Sequence, residues 1–350
     1  MTYKRALICL NFSLLACLLL QLQPAYSQYN FSDLDDLIAK NQKSLGGNIV
    51  TMIYKDGKIV YKKEIGEDFK MKTQAPVANC SMWLTAALVM TFVDEGKISL
   101  DDPVTKYIPI FESYSKKYIT IRNCLAHTTG IEADAPTIKT ILQKKKFGSL
   151  EDEVTSFAKR EIEKNPGQMF YYSNIGLNIA GRILEIVSKK TFDRLVQERL
   201  LRPLKMHNTT FYIDYDQSFN PSSGALSTAN DYLTFLTMIL NKGMFEGKRI
   251  LSEKAIAEMQ KIQTGNAAIK YVPTVASGYS YGLGEWIIDS DTQGKATAVA
   301  CPALFGTWPV VDYCRGYACI FFVKTMSEQN KSFYESLKEA IDQQIPTTCK

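Results

Sequence analysis

The sequence predicts an α+β fold: an antiparallel β-sheet flanked by helices, with a mostly helical domain inserted into it. Three observations predict it. Alternating strand patterns stand at both ends of the chain, at residues 48–54 and 59–65 and again at 283–288, 296–301 and 317–323. The stretch between them carries apolar residues at helical spacing. The 350 residues are 46% apolar and 22% charged, a globular mix that excludes disordered, collagen-like and polytopic membrane classes.

Each element has its own signal. Residues 32–45 form a polar amphipathic stretch and read as the first helix. The first two strands meet at Asp56-Gly57, a turn pair. Residues 80–95 are apolar nearly all round, which predicts a buried helix, and Gly96 is a suitable stop. Residues 150–163 open after Ser149 with Asp152 three places on, a capping pattern. Residues 175–187 continue the helical spacing. Thr191 opens a helix through Leu200, and Ser227 opens another to about Leu240. Residues 332–345 form a closing amphipathic helix. Strands from both termini around central helices divide the chain into a sheet domain, 28–105 with 255–350, and a helical domain, 106–254.

The first 27 residues read as an export signal. Lys4 and Arg5 precede an apolar run from Ala6 to Leu20, and Ala25-Tyr26-Ser27 fits the small-x-small cleavage rule. Cleavage after Ser27 predicts a periplasmic or secreted protein. The apolar core is short for a membrane span, so no transmembrane span is expected in the mature chain. A second reading is a lipoprotein anchored at Cys17, since Leu14-Leu15-Ala16-Cys17 resembles a lipobox. After cleavage, Cys80, Cys124, Cys301, Cys314, Cys319 and Cys349 remain, and an exported chain permits disulfides among them without fixing the pairing. Cys80, Cys124 and Cys319 lie in apolar runs and read as buried small residues.

Composition also limits the chemistry. Forty-one Lys and Arg against 36 Asp and Glu give a formal charge of +5, too weak to argue for a nucleic-acid partner. The two histidines are His127 and His207. A His-rich metal site is excluded, no Cys/His cluster has zinc spacing, and no cofactor is implied. A catalytic base falls to Lys, Tyr or a carboxylate. The Lys144-Lys145-Lys146 run reads as a solvated face.

Several segments together carry a resemblance. Trp83-Leu84-Thr85-Ala86-Ala87, continuing to Asp101-Asp102-Pro103-Val104, is similar to a nucleophile helix and its following turn. Leu125-Ala126-His127-Thr128-Thr129-Gly130 looks like L-x-H-T-[ST]-G. Pro166-Gly167 and then Phe170-Tyr171-Tyr172-Ser173-Asn174-Ile175-Gly176 look like P-G…F-x-Y-S-N-x-G, and Tyr281-Gly282-Leu283-Gly284 also matches. In this order they resemble the serine β-lactamase and penicillin-binding protein superfamily with its esterase-like branches, from about residue 35 to 325.

The resemblance implies three chemical elements. A Ser opening a buried helix and a Lys three residues later share one face, and the Lys activates the Ser for acyl transfer. Here Asn79-Cys80-Ser81-Met82 stands at S-x-x-K, with Asn79 at the nucleophile position and Met82 at the Lys position. An amide is no comparable nucleophile, and a thioether accepts no proton usefully. Such residues act as a unit, so losing both removes the mechanism. In the bland reading Asn79 caps the helix and Met82 fills core. Cys80 and Ser81 lack a Lys at the needed spacing.

The second element, Y-x-N, survives as Tyr172 and Asn174, implied to move protons and hold the ligand; a packing role for the same turn competes with this. The third reads Cys301-Pro302-Ala303-Leu304-Phe305-Gly306, where esterase-like relatives have S-P-G before an F-G turn. Ala303 adds a Cβ at the glycine position. Cys301, Ala303 and Phe305 are its candidate binding residues. His127 reads as structural. The expectation is a hydrolase fold without its nucleophile, binding a peptide, a cell-wall fragment or an acyl or ester-like small molecule. The competing expectations are an active esterase or peptidase with an unorthodox nucleophile, and a structural protein with a filled cleft.

Overall fold

A computed structural model describes residues 29–134, 147–211, 219–303, 306–324 and 331–349. The leader segment, Lys144–Lys146 and Phe305 lie outside the described residues. Phe31–Lys350 pack as one compact unit.

Seven antiparallel strands make the main sheet: β1 (Ile49–Lys55), β2 (Lys58–Ile65), β3 (Ser280–Tyr281), β4 (Trp286–Ser290), β5 (Ala296–Ala300), β6 (Trp308–Asp312) and β7 (Tyr317–Val323). Their order is β2-β1-β7-β6-β5-β4-β3, so strands from the two ends of the chain meet at β1 and β7. That junction runs in continuous register from Ile49 opposite Val323 to Lys55 opposite Tyr317. Every residue of β6 and β7 is buried, as covered sheet faces require.

Helices supply the cover. The first, α1 (Ser32–Lys40), is shorter than its amphipathic pattern, because the chain turns over residues 41–47 before β1. Helix α2 (Ser81–Asp94) is buried from Ser81 to Phe92 and forms the centre of the core. Gly96, at φ +67°, ends it, with Gly96 N donating to Val93 O and Lys97 N to Phe92 O, a Schellman closure. Helix α3 (Leu150–Ala158) is capped by Ser149, whose Oγ accepts from Asp152 N. It stops short of residue 163 because the chain then bridges Ile162 to Ile131. Helix α4 (Ile175–Ser188) follows. Helix α5 (Ala229–Leu240) is capped by Thr228, not by Ser227. Ser227 instead pairs with Ala75 in a short antiparallel bridge. Helix α5 lies against β1, β6 and β7. Helix α6 (Lys331–Asp342) packs beside α1, and the tilted Tyr334 ring lies 4.8 Å from that of Trp308. The helix opened by Thr191 is regular over Phe192–Val196 and widens to a π-turn over Gln197–Leu201. Among the described residues no helix is long and apolar enough to cross a membrane.

Cys314 and Cys349 form a disulfide, while Cys80, Cys124, Cys301 and Cys319 are free thiols in the core.

Candidate functional site

The helix start, the tyrosine turn and a strand end converge. Ala78–Cys80 form one 3-10 turn leading into α2, so Asn79 lies just ahead of the helix. The sequence reading of Asn79 as helix cap is corrected here: Cys80 occupies the cap position and no side chain caps. The extra turn moves the helix start one residue on, to Ser81. Met82 is 1% exposed and packed in the core. A close approach fixes its surroundings: a Cβ on Gly284, at φ +84°, would stand 2.3 Å from Ala86 Cβ and 3.0 Å from Met82 O. The strand segment after β3 therefore presses directly on the face of α2 that holds Met82.

The two thiols clamp this junction. Cys80 Sγ donates to Cys301 O at 2.9 Å, and Cys301 Sγ donates to Asn79 O at 3.5 Å. Tyr232 of α5 donates its hydroxyl to Cys80 O at 2.8 Å. Burial, and then Cys301 beside it, push the Cys80 thiol well above its ordinary range. A buried thiol of that kind is inert. Ser81 is equally occupied, its Oγ accepting from Ala225 N at 3.0 Å in a fully buried setting. Ala303 is buried at the same strand end, its N–H donating to Thr307 O at 2.9 Å.

Tyr172 faces this cluster. It follows the short strand Met169–Tyr171, which pairs in parallel with Ala268–Tyr271. Its ring lies 5.2 Å from Trp286 and 4.6 Å from His127. Burial first, then the thiols of Cys301 and Cys80, hold the phenol well above its usual pKa. The Trp286 indole and the Asn79 amide oppose this weakly. Neither completes a hydrogen bond: the Tyr172 hydroxyl and the Trp286 Nε1 are both buried without a partner. A phenol so placed is held in its protonated form.

Asn174 is directed elsewhere. Its amide donates to Glu153 Oε1 at 3.2 Å, and Asn178 donates to the other oxygen at 3.0 Å. This pair ties α4 to α3. The same turn explains Gly176, where a Cβ would stand 1.9 Å from the carbonyl oxygen of Cys124. Trp286 and Tyr232 belong to the site although the sequence did not single them out, and Tyr281 was noted only within a motif match. The match at Tyr281-Gly282-Leu283-Gly284 was the one available signal.

His127 positions the turn. It sits at φ +56°, 3% exposed, in a backbone region that few non-glycine residues adopt. Its Nδ1 accepts from Ser173 N at 3.3 Å, which leaves Nε2 to donate to the Tyr281 hydroxyl at 3.1 Å. Burial lowers its pKa from 6.5 to about 3, so the folded ring stays neutral. The sign follows: below pH 6.5 the unfolded chain takes up a proton that the folded chain refuses, and stability falls with pH down to about 3. Relative to a His127→Gln variant, the natural chain loses roughly 2 kcal/mol between about pH 6.5 and pH 5. Urea unfolding of both proteins across that range measures the difference; a constant offset refutes the buried neutral ring.

A buried helix opening beside a tyrosine turn and the end of an antiparallel strand is the layout of the serine β-lactamases and penicillin-binding proteins. The chain belongs to the beta-lactamase family, whose family model matches residues 34–340. A Bacteroides dorei DSM 17855 protein classed with the beta-lactamases is 29% identical, with a TM-score of 0.80 over 90% of this chain and 98% of that one. EstCE1, described as a hydrolase with promiscuous acyltransferase activity, shares the fold at 17% identity and a TM-score of 0.73, over 88% of this chain and 97% of that one. Protein flp of Staphylococcus aureus strain MW2 is 30% identical over 170 residues. That match covers 46% of this chain and 34% of the staphylococcal protein, so the chain spans about a third of that relative's length.

Proposed function

We propose that the protein binds a peptide, a cell-wall fragment or an acyl or ester-like small molecule at the site around Tyr172 and does not turn it over. One observation carries the reading: Asn79 and Met82 stand where acyl transfer needs a Ser and a Lys. The rest of the site supports it. The Tyr172 phenol is held protonated, and the neighbouring thiol and hydroxyl of Cys80 and Ser81 are buried and engaged. We further infer export, with cleavage after Ser27. The Cys314–Cys349 disulfide suits an oxidising compartment. The binding site falls where the sheet domain, 28–105 with 255–350, would meet the helical domain, 106–254.

Thermal unfolding in the presence of cell-wall fragments, acyl peptides and esters tests the reading. A ligand at about 100 times its Kd adds about 2.7 kcal/mol of stability, a melting shift of several degrees. Mass spectrometry then recovers that ligand intact. A stabilising ligand recovered cleaved, or a panel with no stabilising member, contradicts the proposal.

A further inference from the structure

Two of the free thiols meet across the fold. Cys80 Sγ donates to the main-chain oxygen of Cys301 at 2.9 Å. Cys301 Sγ donates at 3.5 Å to the Asn79 oxygen, on the peptide bond that enters Cys80. Each thiol thus ends against the other's backbone. Both residues are 0% exposed, and they stand 221 positions apart in the chain. One immediately precedes α2 and the other follows the end of β5. Among the described residues no such reciprocal contact joins Cys124, in the Ile121–Leu125 turn, or Cys319, in β7, to another cysteine.

This arrangement suits a cross-link. Cys314 and Cys349 are already joined, which fits conditions that oxidise thiols. Exchange with a disulfide needs a thiolate within reach. Burial holds the Cys80 thiol protonated once the protein is folded, so exchange belongs to folding, while both side chains still meet water. On the chain-entropy account, a cross-link over so long a loop removes much of the freedom of the unfolded chain.

We propose that Cys80 and Cys301 form a second disulfide as the chain folds in an oxidising compartment, fastening the start of α2 to the end of β5. The oxidant is itself a disulfide. The thiolate of one cysteine attacks it, forming a mixed disulfide and releasing one thiol. The thiolate of the other cysteine attacks the protein sulfur of that mixed disulfide and releases the second thiol. One S–S bond breaks and one forms, two electrons pass to the oxidant, and the two cysteine protons end on its two thiols. The inference rests on the export reading for the source of its oxidant.

The test supplies the oxidant, so its failure leaves the export reading untouched. The reduced, unfolded chain is refolded with glutathione and glutathione disulfide, the latter raised until Cys314–Cys349 closes. Remaining thiols are alkylated in denaturant and located by non-reducing peptide mass spectrometry. The expected result is loss of alkylation at both Cys80 and Cys301 and a peptide pair joined through them, with Cys124 and Cys319 alkylated. In a Cys80→Ala variant Cys301 is alkylated instead. Alkylation of both Cys80 and Cys301 while Cys314–Cys349 is closed, or either one joined to a different cysteine, overturns the proposal. Natural chain folded first in dithiothreitol and then given the same mixture keeps both thiols. Closure there overturns the assignment of the bond to folding.

Discussion

Replacing Glu285 with glutamine raises the stability of the fold at neutral pH by roughly 1–3 kcal/mol. The carboxyl group is 1% exposed, and neither oxygen has a hydrogen-bond partner. Burial drives its pKa well above 4.5, and the indole of Trp83 offers only weak opposition. Below pH 4.5 the folded and unfolded chains both carry the proton. Above it the unfolded chain releases the proton and the folded chain keeps it, so stability falls as pH rises. Glutamine has the same shape and no proton to release, and so the variant lacks this slope. Denaturant unfolding at about pH 4 and about pH 8 checks it. A variant no more stable than the natural chain at the higher pH refutes the argument. The slope is opposite in sign to that of His127, so the natural chain alone shows a muted pH profile between 4.5 and 6.5. Each variant exposes the slope the other group hides.

The double variant Asn79→Ser with Met82→Lys gains ester hydrolysis of about 100-fold or more over the natural chain, while each single variant stays at background. A Ser and Lys of this kind act as a unit, and the effects of losing one are far from additive. The new Lys would enter a setting 1% exposed, where Gly284 packs against the helix backbone. Burial then lowers its pKa and leaves a neutral amine, which is what a general base requires. The fold tolerates the change at reduced stability. Steady-state hydrolysis of an activated ester, with a melting curve on each variant, checks the prediction. A folded but silent double variant shows that the altered strand end at Cys301-Pro302-Ala303 also blocks the chemistry.

Much of the fold was legible because local signals and burial agreed. The uninterrupted apolar run of α2 and the stop at Gly96 left one interpretation, and Asp56-Gly57 set the first hairpin. Strand β6 was missed because Pro309 sits inside it, and proline argues against a central strand. The structure shows why it is tolerated. Cys301 N donates to Pro309 O, so the side of β6 where proline lacks its N–H faces the chain just beyond the end of β5 at Ala300. No ladder bond is lost there. The shift of the cap from Asn79 to Cys80 was also illegible, because the 3-10 turn is set by tertiary contacts from Cys301 and Tyr232.

For the site, the motifs gave the positions but not the directions. Asn79, Cys301 and Tyr172 come together, and Met82, in the helix that follows Asn79, is packed in the core. Asn174 does not join them, since its amide is taken by Glu153, 21 residues earlier in sequence. Trp286 and Glu285 are neighbours in the chain, and each is a buried polar group without a partner. Neither has a local signature, because what distinguishes them is the absence of a partner in three dimensions.

The central claim is that this family member has kept the acyl-transfer fold and lost acyl transfer. Intact-protein mass spectrometry after incubation with an activated ester, a chromogenic cephalosporin and a fluorescent penicillin tests it most directly. The prediction is an unchanged protein mass and no hydrolysis above buffer. A covalent adduct or sustained turnover in the natural chain contradicts it, and Cys80→Ala and Ser81→Ala variants then show whether either side chain is the nucleophile.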